Sequence, residues 1–132
     1  MEMQSEYEMQ SEYVFDFERL EVYEKGVEFT VKIFGLTRTL PREYQHSLAD
    51  QLRRAALSIL NNLAEGSGKL SKKEKVQFYK TSLNSSRECI PMLTLLSREQ
   101  QLSPVAHQEL RQRVIHIANM LGRLVASVSA AS

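Results

Sequence analysis

The 132-residue chain contains no tryptophan, a single cysteine, three prolines and five glycines. A lone thiol, Cys89, cannot close an internal disulfide, so no disulfide framework supports the fold and nothing points to an oxidising compartment. Few helix breakers leave room for long helices with short connections. No run approaches the roughly 18–20 consecutive apolar residues of a membrane span, and the N-terminus lacks a basic region followed by an apolar one. A soluble, cytoplasmic protein without membrane contact is expected. The length suits one hydrophobic core and is too short for two.

Catalytic chemistry is missing too. The histidines, His46, His107 and His116, show no metal-ligand spacing. Gly66-Ser67-Gly68 follows no strand pattern and lacks the Lys-Ser/Thr of a phosphate-binding loop, so it reads as a turn. No nucleophile, tuned base and oxyanion donors can be named together. The expectation is a non-enzymatic protein with no catalytic residues, no metal and no cofactor.

The formal net charge of +1 conceals an asymmetry. Glu2, Glu6, Glu8, Glu12 and Asp16 face no Lys or Arg within residues 1–16, which hold a tandem EMQSEY hexapeptide. From Phe17 onward 17 bases stand against 11 acids, a net +6. The opening is expected to be an acidic, disordered arm, and the moderately basic body can attract polyanions by field alone.

The body, residues 17–128, is patterned in four helical stretches, with 129–132 a flexible tail. In the first, Leu20, Tyr23, Val27, Val31 and Phe34 recur at steps of three and four, flanked by Val22, Phe29, Ile33 and Leu36. Gly26 marks a close helix crossing or a bend, and Leu40-Pro41 ends the stretch. The second carries Tyr44, Leu48, Leu52, Ala55, Ala56, Ile59 and Leu63 and stops at Gly66, suited to a left-handed C-terminal residue. Ser71 to Glu74 matches a capping box, so a third helix starts there with Val76, Tyr79, Leu83, Ser86, Ile90 and Leu93 inward. Pro91 predicts a kink near Arg87. Ser103-Pro104 opens the fourth, with Leu110, Val114, Ile117, Leu121, Leu124 and Val128. Short connections make neighbours antiparallel, so the fold class is all-α, an antiparallel up-down-up-down four-helix bundle. Apolar positions beyond one stripe on the first and last helices (Val22, Phe29, Ile33, Leu36; Ile115, Val125) suggest burial against another subunit.

Phe17 and Leu20, the Leu40-Pro41 hinge, QLRRAALSI at 51–59 and NLAEG at 62–66, in this order and spacing, resemble the four-helix-bundle family of 23S ribosomal RNA intervening-sequence proteins. That family includes the accessory proteins of diversity-generating retroelements. The resemblance covers roughly residues 17–125 and implies a small cytoplasmic bundle that assembles as a homo-oligomeric ring, typically a pentamer. It also implies a basic surface that contacts RNA or DNA beside a reverse transcriptase. The family's Ala-x-Gly-Ser-x-x-Glu pattern aligns with Ser82, Asn84, Ser85 and Glu88, so Ala and Gly are replaced here. The replacement predicts looser or more polar packing between the second and third helices.

Two groups of residues follow as candidate sites. Lys69, Lys72, Lys73, Lys75, Lys80, Arg87 and Arg53 form a basic cluster suited to salt-sensitive phosphate contacts, which Arg111, Arg113 and Arg123 could extend. Arg54, Ser58, Asn62, Glu65, Asn84, Ser85 and Glu88 are expected to form a structural polar layer, with Arg54 opposite Asn84 and paired with Glu88. The alternative function is a structural or protein-interaction oligomer with no nucleic-acid role.

Overall fold

The computed structural model describes residues 14–131; the EMQSEY repeat lies outside the described residues. A 3-10 turn at Asp16–Arg19 leads into five helices: α1 (Glu21–Arg38), α2 (Arg42–Gln45), α3 (Leu48–Ser67), α4 (Lys72–Arg98) and α5 (Pro104–Ala130). α2 is a single turn. The four long helices pack in sequence, each on the next, and α5 closes against α1. No strand occurs among the described residues, and the architecture is the all-α up-down-up-down bundle expected. α5 runs to Ala130, two residues into the stretch expected to be a flexible tail.

The core is built from Phe29 and Ile33 of α1, Leu52, Ile59 and Leu63 of α3, Leu93 and Leu96 of α4, and Ile117 and Leu121 of α5, all fully buried. Burial of each such side chain stabilises the fold by about 1.5–3 kcal/mol. On α1 this corrects the expected face. The flanking set Val22, Phe29 and Ile33 points inward, whereas Val31 is 64% exposed and Val27 and Phe34 are half-buried. Both stripes of α1 are apolar, so periodicity alone could not choose between them; contact with α3 and α5 does.

The hinge after α1 is more elaborate than one proline. α2 is separated from α3 by His46 and Ser47, and the Ser47 backbone (φ −125°, ψ −104°) is non-helical. Gln45 ties the turn together: its Nε2 donates to the carbonyls of Thr37 and Leu40 at 2.7 and 2.9 Å, the first of which also accepts the Leu40 N–H at 3.3 Å. Arg53 in turn donates to the Gln45 carbonyl at 3.2 Å and its Oε1 at 3.3 Å.

Gly66 does not end α3 in a left-handed conformation; the helix continues to Ser67 and Gly68 has φ −82°. Gly66 is a packing residue instead. A Cβ there would lie 2.7 Å from Tyr79 Cε1 and 3.1 Å from Phe78 Cβ, so the missing side chain lets α3 and α4 meet beside their turn. Gly26 plays the corresponding part between α1 and α3, where a Cβ would stand 2.9 Å from Leu60 Cδ2.

α4 passes through Pro91 without a break. Proline removes one backbone hydrogen bond, but Cys89, Met92, Leu93 and Leu96 are buried on either side of it and hold both halves to the bundle. Ser71 and Ser103 act as the expected N-caps, accepting from the backbone N–H of Glu74 at 3.0 Å and of Ala106 at 3.1 Å.

Candidate nucleic-acid interface

α4 turns its small and apolar residues toward α3 and α5 and leaves polar ones outside, with Glu74, Thr81 and Glu88 beside a line that holds the bases. Lys73, Gln77, Lys80, Asn84 and Arg87 are all exposed and follow one another at steps of three and four, so they share one line along the helix. The three bases are seven residues apart, a spacing of about 10 Å. None of them has an acidic partner among the described residues. Ser71, capping the helix at the head of the stripe, fixes where it begins.

The other bases of the expected cluster serve the fold. Lys75 Nζ donates to the carbonyls of Ser67 at 2.9 Å and Gly66 at 3.4 Å, covering the last acceptors of α3. Lys69 pairs with Glu65 at 3.9 Å and stands 5.1 Å from the centre of the Phe78 ring. Lys72 Nζ donates to the Ala131 carbonyl, tying the end of α5 to the start of α4. Arg53 belongs to the α2 hinge. Lys75 and Lys72 spend a hydrogen bond on backbone oxygen but keep their charge, so both still contribute to the positive field at this end of the bundle.

Of the possible extensions, Arg113 is committed elsewhere. It bridges Glu109 at 3.3 Å and Glu28 at 3.7 Å, and Lys32 reaches Glu109 at 3.3 Å, so a charge ladder runs along the seam of α1 and α5. The hydrogen bond from Lys32, and then that from Arg113, holds the Glu109 carboxyl below its ordinary value.

The polar layer is smaller than expected and differently composed. Ser58 and Ser85 share a 2.7 Å hydrogen bond across the α3–α4 seam, and Asn62 donates to the Ser58 carbonyl at 2.8 Å and its Oγ at 3.0 Å. Ser82, fully buried, donates to the Ile59 carbonyl at 2.8 Å. These pairs set Ser58 opposite Ser85, about one helical turn from the expected register, which alters the remaining assignments. Arg54 is exposed and pairs with Asp50 on its own helix at 3.2 Å, not with Glu88. Glu65, Asn84 and Glu88 are also exposed. Arg54 and Glu88 do line one groove of about 510 Å³, with Gln51, Ala55, Ser58, Pro91 and Met92. Packing between α3 and α4 is the more polar kind, carried by Ser82 and Ser85. Asn84, aligned with the family's glycine, faces solvent and does not set the helix separation.

Sequence periodicity found two apolar stripes on α1 but turned the wrong one inward. Val27, Val31 and Phe34 of α1 and Leu57 and Leu60 of α3 line a shallow depression of about 360 Å³ with Thr30 and Arg38. Leu57 is 41% exposed. The residues expected to form a second face on α1, Val22, Phe29 and Ile33, are instead the core, and on α5 Ile115 is 37% exposed. The available signal was the double stripe on α1, whose inward half could not be told from its outward half.

Among the described residues no group of three or more His, Cys, Asp or Glu could hold a metal ion, and no helix is long and apolar enough to cross a membrane. Cys89 is buried and its thiol is pushed up to about 12 by desolvation, with the Glu88 charge adding to the rise. A thiol in that setting stays protonated and packs as a small apolar group.

Fold and surface together define an all-α four-helix bundle with one basic helix face and one apolar face. The sequence profile of the 23S rRNA-intervening sequence protein family matches residues 18–123. The chain belongs to that family. A crystal structure of a protein with unknown function from the S23 ribosomal protein family of Bacteroides thetaiotaomicron VPI-5482 is similar to it, with a TM-score of 0.74 and 23% sequence identity over 80% of this chain and 95% of the other. At that identity the likeness concerns the fold. No curated protein matches the chain.

Proposed function

We propose that this protein is a non-enzymatic, self-associating bundle that binds nucleic acid through the exposed bases of α4. One observation carries the reading: Lys73, Lys80 and Arg87 lie in a single line on one helix face, each without an acidic partner among the described residues. Solvated bases at about 10 Å intervals suit the sugar-phosphate backbone, and such contacts release condensed counterions without reading sequence. Lys73 sits in the first turn of α4, where the helix dipole disfavours a cation, and a bound phosphate relieves that conflict. The ribosomal RNA named in the family's description is consistent with such a ligand.

The apolar face of α1 and α3 supports self-association. A ring, the pentamer that the family resemblance implies, would bury this face of each subunit against a different face of its neighbour, and it would multiply one modest basic stripe several-fold. The retroelement part of that resemblance adds a reverse transcriptase as a protein partner of the assembled ring. The same apolar face also favours a second reading, a protein-interaction oligomer that leaves nucleic acid alone.

Mobility of labelled RNA and DNA at low salt separates the two. The first reading expects retardation by the native protein and its loss in a Lys73→Glu/Lys80→Glu/Arg87→Glu variant whose helical circular dichroism is unchanged. Absence of retardation leaves the second reading; retardation that survives charge reversal overturns the α4 surface and the second reading alike. Light scattering tests the ring: a mass of one chain rules it out.

A further inference from the structure

The seam of α4 and α5 opens beside the basic line as a groove of about 340 Å³. Leu83 and Ile90 of α4 and Ile115 and Ala118 of α5 give it an apolar lining, with Arg87 on the α4 side and Asn119 on the α5 side. Arg87 thus belongs to both features. On α4, Lys80, Leu83, Arg87 and Ile90 follow at steps of three and four, so cations and apolar side chains alternate along one line. On α5, Arg111 lies one turn before Ile115 and Arg123 one turn past Asn119. Both are exposed, and neither has an acidic partner among the described residues. No carboxylate lines this groove, whereas Glu88 lines the α3–α4 groove and Glu109 the cleft between α1 and α5.

An apolar floor with cationic rims suits a ligand built of the same two parts. Ile115 is 37% exposed, and covering it with a flat heterocycle removes apolar surface from water while the attached phosphates reach the rims. The volume stands at the lower end of the roughly 300–1,000 Å³ of small-ligand pockets, room for a single ring system. The Asn119 side-chain amide makes no hydrogen bond among the described residues and offers both a donor and an acceptor to a base edge. The Arg87 guanidinium is planar, so it can stack on a base as well as hold a phosphate. No aromatic ring lines the groove; aliphatic walls would take the place of the usual stacking platform. A duplex keeps its bases stacked inside, and helices packed about 8–10 Å apart leave a seam too narrow to admit it. From Arg111 to Arg123 the helix rises about 18 Å, roughly the length of five stacked nucleotides.

We propose that the α4–α5 groove is a base-binding site for single-stranded nucleic acid. An unpaired base sits between Leu83, Ile90 and Ile115 with its edge on Asn119, and the flanking phosphates lie on Lys80, Arg87, Arg111 and Arg123. The inference rests on the proposed nucleic-acid reading and narrows its ligand, which is unpaired where it touches the protein. It also gives Arg111 and Arg123 a part that the α4 line alone does not.

Anisotropy with the full chain tests the site on three probes: a labelled DNA strand of about twelve nucleotides, the same strand paired into a duplex, and the same strand with abasic residues throughout. The base-bearing strand is expected to bind at least about fivefold more tightly than the abasic one. Ile115→Ser and Asn119→Ala, each with helical circular dichroism unchanged, are expected to weaken the base-bearing strand about threefold to tenfold and to leave duplex binding as it was. Their salt slopes should match the native slope, because no phosphate contact is lost. The abasic probe needs no variant, so a folding failure leaves the test intact. Equal affinity for the base-bearing and abasic strands, or variants that weaken strand and duplex alike, overturns the inference while the nucleic-acid reading stands. Binding of none of the three probes at low salt overturns both. Polyglutamate that displaces the labelled strand as readily as unlabelled strand does would make the groove a site for acidic peptide and overturn the inference too.

Discussion

A methyl group placed on Gly66 would lie 2.7 Å from Cε1 of Tyr79 and 2.8 Å from its Cδ1. Backbone at Gly66 and ring at Tyr79 thus define how closely α3 approaches α4, two elements whose turn presents the basic surface. Gly66→Ala forces one of them to move and is expected to cost about 1–3 kcal/mol. Gly68, two residues on, has ordinary right-handed φ and only backbone oxygens at 3.7 and 3.9 Å from an added Cβ. Gly68→Ala is expected to be neutral or to stabilise by up to about 1 kcal/mol. Urea midpoints of the two variants check the contrast; equal losses would mean that the turn, not the packing, needs glycine.

The Ser58–Ser85 hydrogen bond is the polar link across the same seam. A double-mutant cycle through Ser58→Ala and Ser85→Ala is expected to give a coupling of about 0.5–1.5 kcal/mol. The corresponding cycle for Arg54→Ala and Glu88→Ala is expected to give none, because Arg54 pairs with Asp50 on its own helix. Coupling in the second cycle would restore the ion pair that the sequence suggested.

How far the sequence could be read depended on what competed at each position. Four helices, both serine N-caps and the antiparallel order were legible because each rests on a local rule. The inward face of α1 was not, since Val27, Val31 and Phe34 compete with Val22, Phe29 and Ile33 at equal hydrophobicity and only neighbouring helices decide. The register of α3 on α4 missed by about a turn, because it was counted from the loop while Gly66 and Tyr79 actually set it. Most of the lysine cluster was visible as composition; that Lys75 caps α3 and Lys69 covers Phe78 depends on distances no spacing rule supplies.

Gln100 carries the one positive φ of a non-glycine residue among those described, 59°, at the end of α4. Its neighbour Gln101 donates its N–H back to the Leu96 carbonyl at 2.9 Å, the closing bond of a Schellman-type terminus that glycine fills without a Cβ penalty. Gln100→Gly is expected to raise stability by about 0.5–1 kcal/mol. A lower melting temperature would show that the Gln100 side chain contributes more than its backbone strain costs.

Cys89 gives a pH signature. Its folded-state thiol holds its proton up to about 12, against 9.0 for the ordinary value. The unfolded thiol ionises first as pH rises, so the stability this difference contributes is fully present below about 9 and is lost progressively up to about 12. Native protein is expected to lose more stability than Cys89→Ala between the lower and upper parts of that window. Native Cys89 is also expected to resist a thiol reagent at neutral pH until denaturant is added; prompt labelling of the folded chain would contradict its burial.

The salt dependence of RNA binding tests the α4 surface most directly. Measured by anisotropy of a labelled hairpin from about 50 to 200 mM salt, log Kobs should fall linearly with log salt. The Lys73→Gln/Lys80→Gln/Arg87→Gln variant should have a slope shallower by about 2–3, as expected for three lost phosphate contacts. A slope unchanged by those substitutions, or no binding even at the lowest salt, would contradict the nucleic-acid role.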